Sequence, residues 1–131
     1  MKTSFTTLLG IDYPIIMAPM FLVSNTSMVI EALNNGITAA LPALNYRTDA
    51  ELRTAITSIK SSTDKPFGIN LIVNSSNIRY KKQLETCVEL KVDFIITSLG
   101  NPKEVISLCK PSNIKVFCDV VDLKYALKVQ E

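Results

Sequence analysis

Five times along this chain, a short apolar run gives way to a polar loop and then to apolar residues at helical spacing. The runs are Ile15 to Met20, Thr38 to Leu41, Phe67 to Val73, Phe94 to Thr97 and Lys115 to Val120. They are too short for helices and nearly unbroken in hydrophobicity, which is how strands buried on both faces read. Strands alternating with amphipathic helices imply a parallel α/β sheet with right-handed crossovers. The repeats fall roughly 22 to 30 residues apart, close to the length of one βα unit.

The intervening stretches carry helix punctuation. Asn25 and Thr26 are N-cap candidates for a helix reaching about Asn34, with Val29, Ala32 and Leu33 inward and Gly36 as a left-handed terminator. Pro42 is expected to end the second strand. Thr48-Asp-Ala-Glu51 has capping-box spacing ahead of Leu52, Ala55, Ile56 and Ile59. Another helix is expected from about Asn77 to Leu90, with Tyr80, Leu84, Cys87 and Val88 inward. Asn101 and Pro102 read as N-cap and first helical residue of a short helix to Cys109, and a last helix begins near Asp122.

Five units permit two architectures. One is an open, doubly wound sheet, which the length of 131 residues suits. The other is the first five units of a (βα)8 barrel, which normally needs ~250 residues. The helix beginning near Asp122 has no C-cap before Glu131, as expected of an interrupted chain. On that reading residues 1–131 are the N-terminal part of one barrel domain.

Composition narrows the function. A net charge of +2, with 14 scattered basic residues, gives no reason to expect nucleic acid or an anionic membrane. Lys81-Lys82, the densest spot, reads as a solvated helix face. No run reaches the ~18 apolar residues of a membrane span, and residues 1–10 make a poor signal peptide. Three cysteines without CxxC spacing fit reduced thiols in the cytoplasm. The absence of histidine removes Ser–His and Cys–His catalysis from this chain, and with it most zinc sites; no metal is expected.

In either architecture ligands bind at the C-terminal ends of the strands. Those ends carry Ala18, Pro19 and Met20, then Leu41-Pro42, Asn70, Thr97 to Gly100, and Asp119. The rim is small, neutral and amide-bearing. It has neither a P-loop nor GxGxxG, and no acidic pair after the first strand to hold magnesium as a receiver domain would. Asn70 stands inside an apolar strand, so its amide either ties two strands together or faces a planar heteroaromatic ligand such as a flavin. Asp119 either caps the next helix or lines the site, and Cys118 reads as a small buried hydrophobe.

The run Pro14 to Met20 (PIIMAPM) resembles the opening strand of the nitronate monooxygenase (2-nitropropane dioxygenase-like) family of FMN-dependent barrels. Phe21 to Asn25, Leu41 to Asn45, Pro66 to Val73, Ser76-Asn77, Ile95 to Gly100 and Val116 to Val120 follow in the family's order and spacing. The resemblance implies non-covalent FMN and oxidation of a small-molecule nitronate with dioxygen, and it allows a homo-oligomer. It implies that the backbone of Ala18, Pro19 and Met20 lies against the flavin and that Asn70 bonds to it, with Ser98 and Asp119 as lining candidates. The family's catalytic histidine and phosphate loops belong to later units, beyond Glu131. No catalytic residue is therefore expected here, and this piece alone is expected to be inactive. Phe21-Leu22 departs from the glycine or alanine of many members. Asn74 and Cys118 stand where one branch often has histidine, so no role for those histidines carries over. The alternatives are a relative of the flavin-dependent enoyl-ACP reductases, or a non-catalytic half-barrel acting as a scaffold or dimer.

Overall fold

The computed structural model describes residues 2–130. The strands are β1 (Ile16–Met17), β2 (Thr38–Pro42), β3 (Gly68–Ile72), β4 (Phe94–Ser98) and β5 (Lys115–Cys118). The helices are α1 (Ser4–Leu9), α2 (Thr26–Asn34), α3 (Asp49–Ser62), α4 (Tyr80–Glu89), α5 (Lys103–Cys109) and α6 (Leu123–Gln130). All strand pairs are parallel, and the order across the sheet is β1-β2-β3-β4-β5.

That order decides between the two architectures. A doubly wound sheet reverses strand order at a switch point and carries helices on both faces. Here every strand pairs with its successor, and α2 to α5 pack on one face. Val29, Leu33, Leu52, Ile56, Ile59, Leu84 and Val105 meet Ala39, Leu41, Ile69, Leu71 and Ile95 in the main core. Each fully buried Leu or Ile contributes about 1.5–3 kcal/mol. The other face is lined by Ala40, Phe94, Ile96 and Phe117, covered at one end by Phe5 and Leu9 of α1. Helices outside and an apolar inner face are the arrangement of a (βα) barrel, of which these are five units.

The cap signals hold where their partners are close in sequence. Asn25 Oδ1 accepts from Met28 N at 3.0 Å. Thr48 Oγ1 accepts from Glu51 N at 3.2 Å, and Glu51 Oε2 accepts in return from Thr48 N at 3.0 Å. Gly36 has φ of 80°, as its position after α2 requires. Between helices, the guanidinium of Arg53 bonds Asp49 and Glu89, and Thr86 donates to Asp49. The Thr86 and Arg53 hydrogen bonds hold the Asp49 carboxyl below its ordinary value. Tyr80 Oη donates to Glu104 Oε2 at 3.0 Å, tying α4 to α5; burial, then this bond, pushes the phenol up to about 12.

Several expectations need correction. The first strand pairs only at Ile16 and Met17, and both are half-buried rather than enclosed. β1 has a partner on one side only, and the chain turns away at Ala18-Pro19, where proline has no N–H to continue a ladder. β2 does end at Pro42, but it includes that residue, paired opposite Asn70, because a strand's end needs no further donor. α4 begins at Tyr80, not near Asn77: Asn74 and Asn77 accept from the backbone N–H groups of Ser76 and Arg79 and hold a turn there. Pro102 occupies the N-cap of α5, and Asn101 Oδ1 accepts from Lys103 N, two residues on. α1 was not expected; Thr3 and Thr6 cap it reciprocally, with threonine where a capping box usually has Glu or Gln. Cys118 is half-buried, whereas Cys87 and Cys109 are fully buried free thiols, with burial pushing Cys109 up to about 11.

Candidate functional site

Side chains alternate between the two faces of a strand, so β3, β4 and β5 present every second residue to the inner face. The lower layer is Gly68 beside Phe94, with Phe117 edge-on to Phe94 at 5.4 Å between ring centroids. A Cβ on Gly68 would lie 2.2 Å from the Phe94 ring, so the missing side chain makes room for the aromatic floor. Two residues further along, the face turns polar. Asn70 Nδ2 donates to Ile96 O at 3.0 Å and to Ser98 Oγ at 2.9 Å. Ser98 Oγ donates onward to Asp119 Oδ2 at 3.3 Å. Asp119 N donates to Thr97 O at 2.8 Å, which anchors the residue just past β5. Three expected site residues thus form one line across the strand ends. Ser98 is buried, Asn70 half-buried and Asp119 exposed.

Ala18, Pro19 and Met20 stand at the same end of the sheet, after β1. Met20 N donates to Ser24 Oγ at 2.9 Å, and Ser24 Oγ donates to Ala18 O at 3.1 Å. Asn45, from the connection after β2, receives Leu22 N at 2.8 Å and donates to Ser24 O at 2.8 Å. This brace fixes the loop backbone that carries Ala18 to Met20. Sequence reasoning gave Ser24 and Asn45 no role; the only signal was a side-chain amide in a short polar loop, which serves many ends. Leu22 and Leu99, both in loops at this end, have left-handed backbones with φ of 59°.

Two hollows lie elsewhere. One, of about 80 Å³, sits between the starts of α3 and α4, beside Tyr46, Asp49, Arg79 and Gln83. The other is a wide depression at the opposite end, beside Lys2, Thr6 and Tyr13. Neither meets the polar line, and in parallel βα architectures chemistry belongs to the C-terminal strand ends. Among the described residues no group of three or more His, Cys, Asp or Glu side chains could hold a metal, and no helix is long and apolar enough to cross a membrane.

Consecutive parallel strands and an outer helical layer define the class: part of a (βα) barrel, with a polar rim at its mouth. The chain belongs to the nitronate monooxygenase family, whose model matches residues 2–118. It is 28% identical over 129 residues to the (3aS,4S,5R,7aS)-5-hydroxy-7a-methyl-1-oxo-octahydro-1H-indene-4-carboxyl-CoA dehydrogenase of Rhodococcus jostii, covering 98% of this chain and 36% of the relative. A nitronate monooxygenase of Pseudomonas aeruginosa is 38% identical over 71 residues, which is 54% of this chain and 20% of that protein. Both named activities are redox reactions. Among solved structures, FabK from Thermotoga maritima superposes with a TM-score of 0.90 at 28% identity, over 99% of this chain and 41% of FabK. A nitroalkane oxidase from Streptomyces ansochromogenes gives 0.86 over 98% of this chain and 45% of that one; its 19% identity speaks for the fold alone. The chain spans about a third of the length of the curated relatives that it matches along nearly its whole length, 36% in each case.

Proposed function

We propose that residues 1–131 supply the first five units of a single flavin-dependent oxidoreductase barrel that oxidises alkyl nitronates with dioxygen. The observation that carries the flavin reading is Asn70. Both hydrogens of its amide are committed within the protein, and its Oδ1 has no partner among the described residues. A half-buried acceptor left open at a barrel mouth fits a planar ring with an N–H on its edge, and the flavin pyrimidine ring has one between two carbonyls. Bound FMN would supply electron transfer between substrate and dioxygen. This chain's share is binding and orientation: Asn70 takes the ring N–H, and the braced backbone at Ala18, Pro19 and Met20 provides a fixed apolar wall. Family membership supports FMN as the flavin.

The first test is to purify the intact protein and identify any released flavin by its absorption spectrum and chromatography. FMN is expected. Asn70→Ala should weaken its binding about tenfold, the worth of one well-placed hydrogen bond. Absence of flavin, with no binding on titration, would defeat the proposal. We further propose that the 131-residue piece alone turns over no nitronate; turnover by that piece would refute this.

A second reading, enoyl reduction, is favoured by the likeness to FabK at 28% identity. Oxygen uptake with a nitronate, set against NAD(P)H oxidation with an enoyl thioester, separates the two.

A further inference from the structure

We infer that Asp119 and Ser98 are positioning residues that set the polarity of Asn70, so that the site selects a ring ligand able to donate an N–H. An asparagine amide is nearly symmetric in shape, and its surroundings decide which end points where. Here they leave one choice. Ile96 O, 3.0 Å from Nδ2, is a main-chain carbonyl and can only accept. Ser98 Oγ, 2.9 Å away, could in principle donate or accept. Its one hydrogen is drawn to Asp119 Oδ2 at 3.3 Å, and an ionised carboxylate only accepts. The Ser98 lone pairs therefore face Asn70. Turning the amide over would set its oxygen against two other oxygens near 3 Å. Oδ1 is the group left for a ligand.

The order of the line matters as well as its members. Charge on Asp119 orients a hydroxyl, the hydroxyl orients an amide, and the amide presents an acceptor. Each link crosses to the next strand: β3 to β4, then β4 to the residue just past β5. Burial of Ser98 makes the relay stiff, since a buried hydroxyl has no water to turn to. Asp119 thus acts on the ligand through two other side chains.

This inference rests on the flavin reading for its ligand but not for its geometry, and the experiment separates the two. In flavin-free protein, exchange of the Asn70 side-chain amide hydrogens with deuterium is followed by 15N-edited NMR. Both should exchange slowly, and Ser98→Ala and Asp119→Ala should each speed the exchange about tenfold or more, as expected when a hydrogen bond of ordinary strength is lost. Rapid exchange in the native protein overturns the inference whether or not flavin binds. In the second arm, FMN and N3-methyl-FMN are titrated into native protein and both variants. The native protein should prefer FMN by at least about tenfold, and that preference should shrink several-fold in each variant. A merely structural role, or a simple clash with the methyl group, would leave the ratio unchanged in both variants, and an unchanged ratio overturns the inference. Thermal midpoints close to native show that the variants are folded. Failure of the native protein to take up FMN would defeat the flavin reading alone; the exchange data would still decide the polarity of Asn70.

Discussion

Replacing Gly68 by alanine would push a methyl group into the floor of the site. The added Cβ would lie 2.2 Å and 2.3 Å from two carbons of the Phe94 ring. Carbon atoms rest at about 3.5–4.0 Å, so more than an ångström of separation must be found. The ring has little freedom to give. Phe94 is fully buried, with Phe117 edge-on at 5.4 Å and with Ala40 and Leu9 in the same cluster. Overpacking of this kind costs about 1–3 kcal/mol, and the depth of overlap points to the upper part of that range. Alanine recovers roughly 0.5–1 kcal/mol of backbone entropy relative to glycine, which leaves a net loss of about 2 kcal/mol. The assay is urea unfolding of the intact protein, read as a lower midpoint with an unchanged slope. A double-mutant cycle isolates the cause. Phe94→Leu alone should cost about 1–2 kcal/mol through the space it leaves. Gly68→Ala combined with Phe94→Leu should then cost little more than Phe94→Leu, giving a coupling near 2 kcal/mol. Additive losses, within about 0.5 kcal/mol, would refute the steric argument.

Leu22→Gly and Leu99→Gly should each stabilise the protein in denaturant by about 0.5–1 kcal/mol, because a left-handed backbone costs an L-residue roughly 1–2 kcal/mol and glycine gives back part of that as unfolded-state entropy. Both leucines are exposed, at 73% and 65%, so little packing is lost, and a destabilised Leu99→Gly would refute the strain. At alkaline pH, Tyr80 should make stability fall: the unfolded phenol ionises near 10.0, whereas the folded one keeps its proton to about 12, so the folded state binds the extra proton across that window and loses its advantage as pH rises through it. Tyr80→Phe should remove this part of the slope between pH 10 and 12, and an unchanged slope would show that the phenol is not protected.

Much of the architecture was legible because burial writes a period into a sequence. Leu52, Ala55, Ile56 and Ile59 recur at helical spacing, and all four are buried. Thr48 and Glu51, three residues apart, could find each other only in one way. Asn25 was legible for the same reason. The site was legible only as a set of candidates. Asn70 stood out as an amide in an apolar strand, but which of its ends a ligand would meet depends on Ser98 and on Ile96 O, more than twenty residues away in the chain. Ser24 and Asn45 were invisible as a pair, since no local pattern links a loop after one strand to a loop after the next.

The sequence by itself determined the alternation of the five strands with helices, the faces that α2 and α3 bury, and the residues at the strand ends, because each of these is set by near neighbours and by hydrophobic spacing. Only the tertiary structure decided that the strands pair in chain order with the helices on one side, that β1 is short and half-covered, and that Asn70, Ser98 and Asp119 form one directed line. Those outcomes depend on hydrogen bonds between strands, and a donor's choice of acceptor is made in space, where residues far apart in the chain become the nearest neighbours.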